Sequence, residues 1–272
     1  MREENLSRRK SKTTEYNPEV YWSRVAQEIK NRGENYIAGD DNPYYRYKRH
    51  KFLRRFLDTI DFQSKVVLEV GFGPGGNLKH IATHHTPRKV FGADISQDML
   101  EIATKNLRLY DTVELKKIDG VNVPYPDQSV DISFTVTVLQ HTTNETMFRN
   151  LVQELCRVTK TTIVIMEDIG WSKTLGGEGS HIGRQVNIYK SIFAEYGFQL
   201  AQFQFLNTKI SRLWYEWVVS FYRHFNPKQH REGDPIEVAL KFLIGLPISI
   251  TRVLDEVFNE DHDLAKMIFH RV

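Results

Sequence analysis

The residues best placed for chemistry are the glycines of Val67-Leu68-Glu69-Val70-Gly71-Phe72-Gly73-Pro74-Gly75-Gly76-Asn77-Leu78. A short apolar run leads into glycines at alternate positions, and a helical pattern follows. Glycine permits positive φ and lets a ligand approach the backbone with no Cβ in the way. The helix start then presents free N–H groups. The order Gly71-x-Gly73-x-Gly75 departs from G-x-G-x-x-G, the spacing with which dinucleotide-binding turns seat a pyrophosphate. Glu69 would repel a pyrophosphate and suits a ligand with a cationic end. A second apolar run closes at Gly92-Ala93-Asp94-Ile95-Ser96, and Asp94 follows Gly71 by 23 residues. A carboxylate there can accept from both hydroxyls of a ribose. A nicotinamide oxidoreductase is the competing reading, and the glycine spacing argues against it.

These residues need strands that end at one edge. From Lys65 the chain alternates apolar runs with helical patterns. Strands are expected at 65–70, 89–93, 113–118, 130–138 and 161–167, with helices between them. Such alternation builds right-handed βαβ units and a doubly wound α/β fold. Ser96 can cap the second helix of this series, and Thr142-x-x-Glu145 has the form of a capping box. The expected sheet has seven mostly parallel strands, completed by 198–206 and its partner 264–272. Two helices precede it, each opened by Asn-Pro: Asn17-Pro18, running to a stop near Gly33, and Asn42-Pro43. The second carries Phe52, Leu53, Phe56, Leu57 and Ile60 on one face and basic residues on the other. The expected organisation is a basic, disordered tail (1–15), a helical cap (16–62), a core (63–208 with 263–272) and an aromatic helical insert (209–262).

Four ordered segments within residues 66–165 resemble a class I S-adenosylmethionine-dependent methyltransferase of the small-molecule type. They are residues 67–75, Gly92–Ser96, Asp119-Gly120 with Val123–Asp127, and Val130–Phe134 leading to Val138-Leu139-Gln140-His141. The resemblance implies S-adenosylmethionine as cofactor and S-adenosylhomocysteine as product. It implies that Glu69 and Gly71, with Gly73 and Gly75 in the loop, hold the methionine end, and Asp94 the ribose. Ile95 and Met99 would flank the adenine, Asp119 and Gly120 would meet its edge, and Thr135 would lie under the methionine.

The acceptor side carries a weaker signal. Transfer from a sulfonium is an in-line displacement that aligns the acceptor and, for a hydroxyl, removes its proton. His141 is the first candidate base, and a structural histidine is the alternative. His181 and Arg184 lie in the glycine-rich loop 170–183 and just beyond it, and Arg184 suits a substrate carboxylate or phosphate. Glu167 and Asp168 end the fifth strand, where paired carboxylates could bind a metal or hold an amine. The rest of a metal set is not recognisable, so no metal is expected and Glu167 is the candidate for the substrate. Tyr45 and Arg46 head the second helix, with Arg46 on the cofactor carboxylate. Trp214 belongs to the insert, whose apolar content suggests a lid over an acceptor with a hydrophobic part, a dimer interface or a membrane contact.

Composition narrows the remaining classes. Of 272 residues, 40% are hydrophobic and 26% charged, which is ordinary for a globular chain. A formal charge of +3 is too small to argue for nucleic acid, and no Pro-Pro-aromatic motif follows the fourth strand. The single cysteine, Cys156, forms no internal disulfide and suits a reducing cytoplasm. No signal peptide or membrane span is legible. A non-catalytic partner subunit stays open as an alternative, although the loop glycines and Asp94 are all present.

Overall fold

A computed structural model of the chain describes residues 16–32, 42–170, 179–225, 243–245, 247–258 and 264–272. The tail 1–15 and much of the glycine-rich loop and of the insert lie outside them.

Among the described residues, seven strands form one sheet: β1 (Val66–Val70), β2 (Lys89–Asp94), β3 (Val113–Lys117), β4 (Val130–Val136), β5 (Thr159–Asp168), β6 (Phe198–Phe205) and β7 (Leu264–Arg271). Their order is β3-β2-β1-β4-β5-β7-β6. The first five run parallel, and β7 is antiparallel to both β5 and β6. The chain builds outward from β1 on one side and restarts at β4 on the other. The crevice at the carboxyl ends of β1 and β4 is therefore a topological switch point, where ligands bind in such sheets.

Every side chain of β1 is buried. Leu68 packs with Phe148, Leu155, Ile163 and Tyr189 on one face, while Val67 packs with Phe56, Phe62, Leu78 and Phe134 on the other. Full burial of each such side chain contributes about 1.5–3 kcal/mol. The lone thiol, Cys156, is part of this core.

The helices α1 (Pro18–Asn31) and α2 (Pro43–Arg55) start as their Asn-Pro pairs require. Asn17 accepts from Val20 N at 3.2 Å, and Asn42 from Tyr45 N at 3.1 Å. The apolar face expected from Phe52 to Ile60 is broken, because α2 ends at Arg55 and Leu57–Thr59 forms a separate 3-10 turn. Nor is the basic face wholly solvated. Lys51 is 2% exposed, its Nζ 2.7 Å from the Asn207 carbonyl and 2.9 Å from Glu256.

The core helices are α3 (Gly76–His84), α4 (Gln97–Leu107), α5 (Glu145–Val158) and α6 (Val186–Glu195). Ser96 caps α4 as expected. The capping box expected at Thr142 does not form. Asn144 caps α5, accepting from Met147 N at 3.0 Å, while the Thr142 hydroxyl donates to the Val138 carbonyl.

The described part of the insert includes the helices α7 (Lys209–Phe225) and α8 (Ile248–Val257). Asp255 of α8 accepts from Ile210 N at 2.7 Å and Ser211 N at 3.1 Å, satisfying donors that α7 cannot pair itself. The pair docks on α2, where Tyr215 stacks on Tyr44 with ring centroids 4.8 Å apart. Trp217 and Phe221 on α7 remain exposed. Among the described residues, no helix is long and apolar enough to cross a membrane.

Candidate active site

A cavity of about 250 Å³ opens at the switch point. The glycine turn forms its floor. Gly71 (φ +79°), Gly73 (φ +52°) and Gly75 (φ +85°) all take left-handed conformations, in which a Cβ is strained. At Gly71 a Cβ would also stand 2.2 Å from Cγ2 of Val138. Gly71 and Gly73 line the cavity, whereas Gly75 turns its back on it and packs on Leu107 and Ala103.

Asp94 fastens this turn to β2. Its Oδ2 accepts from Gly73 N at 2.8 Å and its Oδ1 from Ser96 N at 2.9 Å. Burial pushes its carboxyl up to about 6 despite those donors. Asp94, Ile95, Met99 and Gly120 line one end of the cavity, as the sequence suggests, together with Ile118, Met147 and Leu151.

Glu69 lies directly behind the turn, 1% exposed. Asn77 Nδ2 donates to its Oε1 at 2.6 Å, and Arg49 Nη1 donates to Asn77 Oδ1 at 2.6 Å. Arg49 and Asn77 both line the cavity. Burial pushes Glu69 up to about 8, which the Asn77 bond and the Arg49 charge only partly oppose. Its Oε2 is buried with no partner. That orphaned acceptor, next to a floor that admits no Cβ, fits a ligand bearing an ammonium group. S-adenosylmethionine has such a group, and the residues present fit it.

The opposite wall is the 3-10 turn Leu139–His141. Glu167 holds its amino end, accepting from Thr135 Oγ1, Val138 N, Leu139 N and Gln140 N at 3.0–3.1 Å. Arg184 holds its carboxyl end, donating to Leu139 O at 2.7 Å and Thr142 O at 2.9 Å. The turn is thus held by a carboxyl group at its amino end and a guanidinium at its carboxyl end. His141 itself lines the cavity, and its Nδ1 lies 2.7 Å from the Ser180 carbonyl. That bond assigns the proton to Nδ1 and leaves the lone pair on Nε2. Burial lowers the imidazole's pKa, so it is neutral at physiological pH. Trp22 of α1 packs edge-on to it at 5.1 Å and, with Pro18, covers the cavity.

Several residues stand elsewhere than the sequence suggests. Arg46 is exposed and off the cavity, and Arg49, one turn along α2, takes the wall position. The Asp119 carboxylate is occupied by its own turn, accepting from Val121 N and Asn122 N. The Thr135 hydroxyl bonds Glu167, and neither residue lines the cavity. Arg184 is no loop cation: it is 1% exposed and lies 3.8 Å over the Phe148 ring. Both Glu167 and Arg184 are engaged by the turn, and neither lines the cavity. Tyr45 and Trp214 join Tyr44, Tyr215 and Val218 in the seam between α2 and α7. His181 stands beside His141, ring centroids 5.6 Å apart, but off the cavity. Among the described residues, none of the insert lines the cavity. Arg49, Asn77, Trp22 and Pro18 carried no sequence signal that set them apart from their neighbours.

Comparison with known proteins agrees with this geometry. Residues 67–162 match the family model described as a methyltransferase domain. The chain is 28% identical over 116 residues to a tRNA (carboxymethyluridine(34)-5-O)-methyltransferase from Arabidopsis thaliana, covering 42% of this chain and 26% of that protein. It is 32% identical over 95 residues to a tRNA (guanine-N(7)-)-methyltransferase from Thermotoga maritima, covering 32% and 30%. The chain thus spans less than a third of the length of these relatives. The geranyl diphosphate C-methyltransferase of Streptomyces coelicolor superposes with a TM-score of 0.61 at 13% identity, covering 93% of this chain and 96% of the other. Phosphoethanolamine N-methyltransferase 2 of Haemonchus contortus, solved with S-adenosyl-L-methionine, gives 0.61 at 14% identity, covering 95% and 60%. The glycine turn, the strand order and the family match converge: residues 67–162 match a methyltransferase domain, on a sheet that shares its fold with the solved methyltransferases.

Proposed function

We propose that this chain transfers a methyl group from S-adenosylmethionine to a small acceptor with a hydrophobic part. The observation that carries the reading is one cavity lined by Asp94, by Arg49 and Asn77 of the chain of hydrogen bonds that ends on the buried Glu69, and by a neutral His141. When bound, S-adenosylmethionine supplies a methyl carried on a sulfonium, open to in-line attack. Glu69 Oε2 would accept from its ammonium, Arg49 would neutralise its carboxylate, and Asp94 would receive the ribose hydroxyls. Met99, Ile118, Met147 and Leu151 offer the apolar contacts an adenine needs. His141 acts as general base through Nε2, passing no proton through Nδ1, which the Ser180 carbonyl holds. Trp22 and Pro18 exclude water and supply the apolar surface that selects the acceptor. The insert serves this site indirectly, as the buttress that fixes α2 and therefore Arg49.

The two tRNA-modifying relatives match only 42% and 32% of this chain, so a nucleic-acid acceptor is the outcome to test against. Calorimetry with S-adenosylhomocysteine should show binding, and Asp94→Ala should weaken it by about 1–3 kcal/mol, the usual loss of charged hydrogen bonds. Unchanged affinity overturns the cofactor assignment. With methyl-labelled cofactor and a cell extract, label should enter the organic-extractable, low-mass fraction. Label confined to RNA would overturn the small acceptor while leaving the cofactor reading intact.

A further inference from the structure

The far end of α3 carries a second constellation, which the methyl-transfer reading does not use. His80 lies in α3, His85 follows its last residue, and Asp58 stands on the 3-10 turn after α2. His80 Nε2 is 2.5 Å and His85 Nε2 3.3 Å from the same oxygen, Asp58 Oδ1. One ligand atom from each of the three residues lies within 4.8 Å of the others. We propose that Asp58, His80 and His85 form a binding site for a first-row divalent cation of the zinc type.

Three features separate this cluster from an ordinary surface ion pair. First, both imidazoles direct Nε2 at one oxygen. Two donors crowd that oxygen, whereas a cation between the three atoms accepts a lone pair from each. Tetrahedral zinc with bonds of about 2.0–2.2 Å places its ligands roughly 3.3–3.5 Å apart, so the His85 contact already has that spacing and His80 needs to recede by about 1 Å. Second, the rings are preorganised by packing. The His80 and His85 side chains are 14% and 17% exposed. His80 stacks on His84 at 4.4 Å, and His85 packs edge-on against Phe62 at 5.2 Å. Asp58 is placed by its neighbour Leu57, which is fully buried. Third, the cluster sits at the carboxyl end of a helix, whose partial negative charge favours a cation.

Two imidazoles and one carboxylate select zinc, nickel or copper over calcium or magnesium, which prefer all-oxygen sets. The remaining positions would be filled by water. The helix α3 begins in the cofactor turn at Gly76 and ends at His84, a length of about 12 Å at 1.5 Å per residue. An ion here would tie the segment after α2 to the far end of the helix whose near end bears Asn77. Its role is to brace that helix, with no part in the chemistry.

Equilibrium dialysis of the metal-free chain against Zn2+ at about pH 7.5, above the ordinary imidazole pKa, should show one equivalent bound with micromolar affinity. Zinc should also raise the melting temperature. His80→Ala and Asp58→Asn should each weaken uptake by at least about tenfold and remove the thermal shift. S-adenosylhomocysteine affinity, expected unchanged in both, confirms that the variants are folded. His85→Ala is less decisive, because the ring packs on Phe62. The proposal is overturned if the wild-type chain takes up no stoichiometric zinc, or if His80→Ala and Asp58→Asn bind it as tightly as wild type.

Discussion

Glu69 and Glu167 are the same residue in nearly the same position, each one place inside the carboxyl end of a buried parallel strand. They are 1% and 0% exposed, and burial raises their carboxyls to about 8 and about 7. Their partners differ. Glu167 receives four donors across its two oxygens. Glu69 receives one side-chain donor, from Asn77, and keeps a bare, buried oxygen behind the glycine turn. A saturated carboxylate is a building element, and its task ends with the turn it holds. An unsaturated one leaves an acceptor open, which on the reading proposed above the cofactor ammonium fills.

The largest expected effect falls on the group that the saturated carboxylate positions. His141→Ala should reduce methyl transfer by about 10²–10⁴-fold, the usual contribution of a general base, with S-adenosylhomocysteine binding preserved. Steady-state kinetics beside calorimetry reads both. Full activity in the variant would return His141 to a structural role and place the acceptor chemistry elsewhere.

Next in size is the cost of removing the saturated carboxylate. Glu167→Ala leaves three backbone N–H groups and the Thr135 hydroxyl without their acceptor. Each buried orphan costs about 1–3 kcal/mol, so stability should fall by about 3 kcal/mol or more. Denaturant titration measures it. Glu69→Gln keeps the Asn77 bond and should change stability by less than about 1 kcal/mol, yet weaken cofactor binding by about 1–3 kcal/mol. If Glu69→Gln destabilised the fold as Glu167→Ala does, the distinction between the two glutamates would collapse.

The two halves of the site also differed in how far they could be read from sequence. The glycine turn is legible because its constraint is local: left-handed φ at Gly71, Gly73 and Gly75 belongs to the backbone itself. The place of Asp94 at the cavity followed from the strand that ends there. Arg49 was not legible, because Arg46 and Arg49 lie in one basic run and only the docking of α2 decides which faces the cavity. Arg184 reads as a loop cation until Phe148 and the carbonyls of Leu139 and Thr142 close around it. The insert's helices follow from their apolar content. Their place does not, since it rests on Asp255 reaching α7 from more than forty positions away.

The smallest expected effect is the most specific to the unsaturated glutamate. In the free protein Glu69 titrates near 8, against 4.5 for an ordinary glutamate, so it is largely protonated at neutral pH. A folded-state pKa above the unfolded one means that the folded chain binds the extra proton. The associated stability is fully present below about 4.5 and is lost as pH rises through about 8. Glu167 and Asp94, raised to about 7 and about 6, add slopes of the same sign. An ammonium brought to Glu69 Oε2 favours the ionised form and lowers that pKa. Binding near neutral pH should therefore release up to one proton, and affinity should rise with pH until Glu69 is ionised in the free protein as well. Calorimetry in buffers of different ionisation enthalpy counts the proton as the slope of observed against buffer enthalpy. Glu69→Gln should abolish that slope. A wild-type slope of zero, or one that survives the substitution, would mean that the cation on the cofactor meets some other group, and the bare oxygen would lose its explanation.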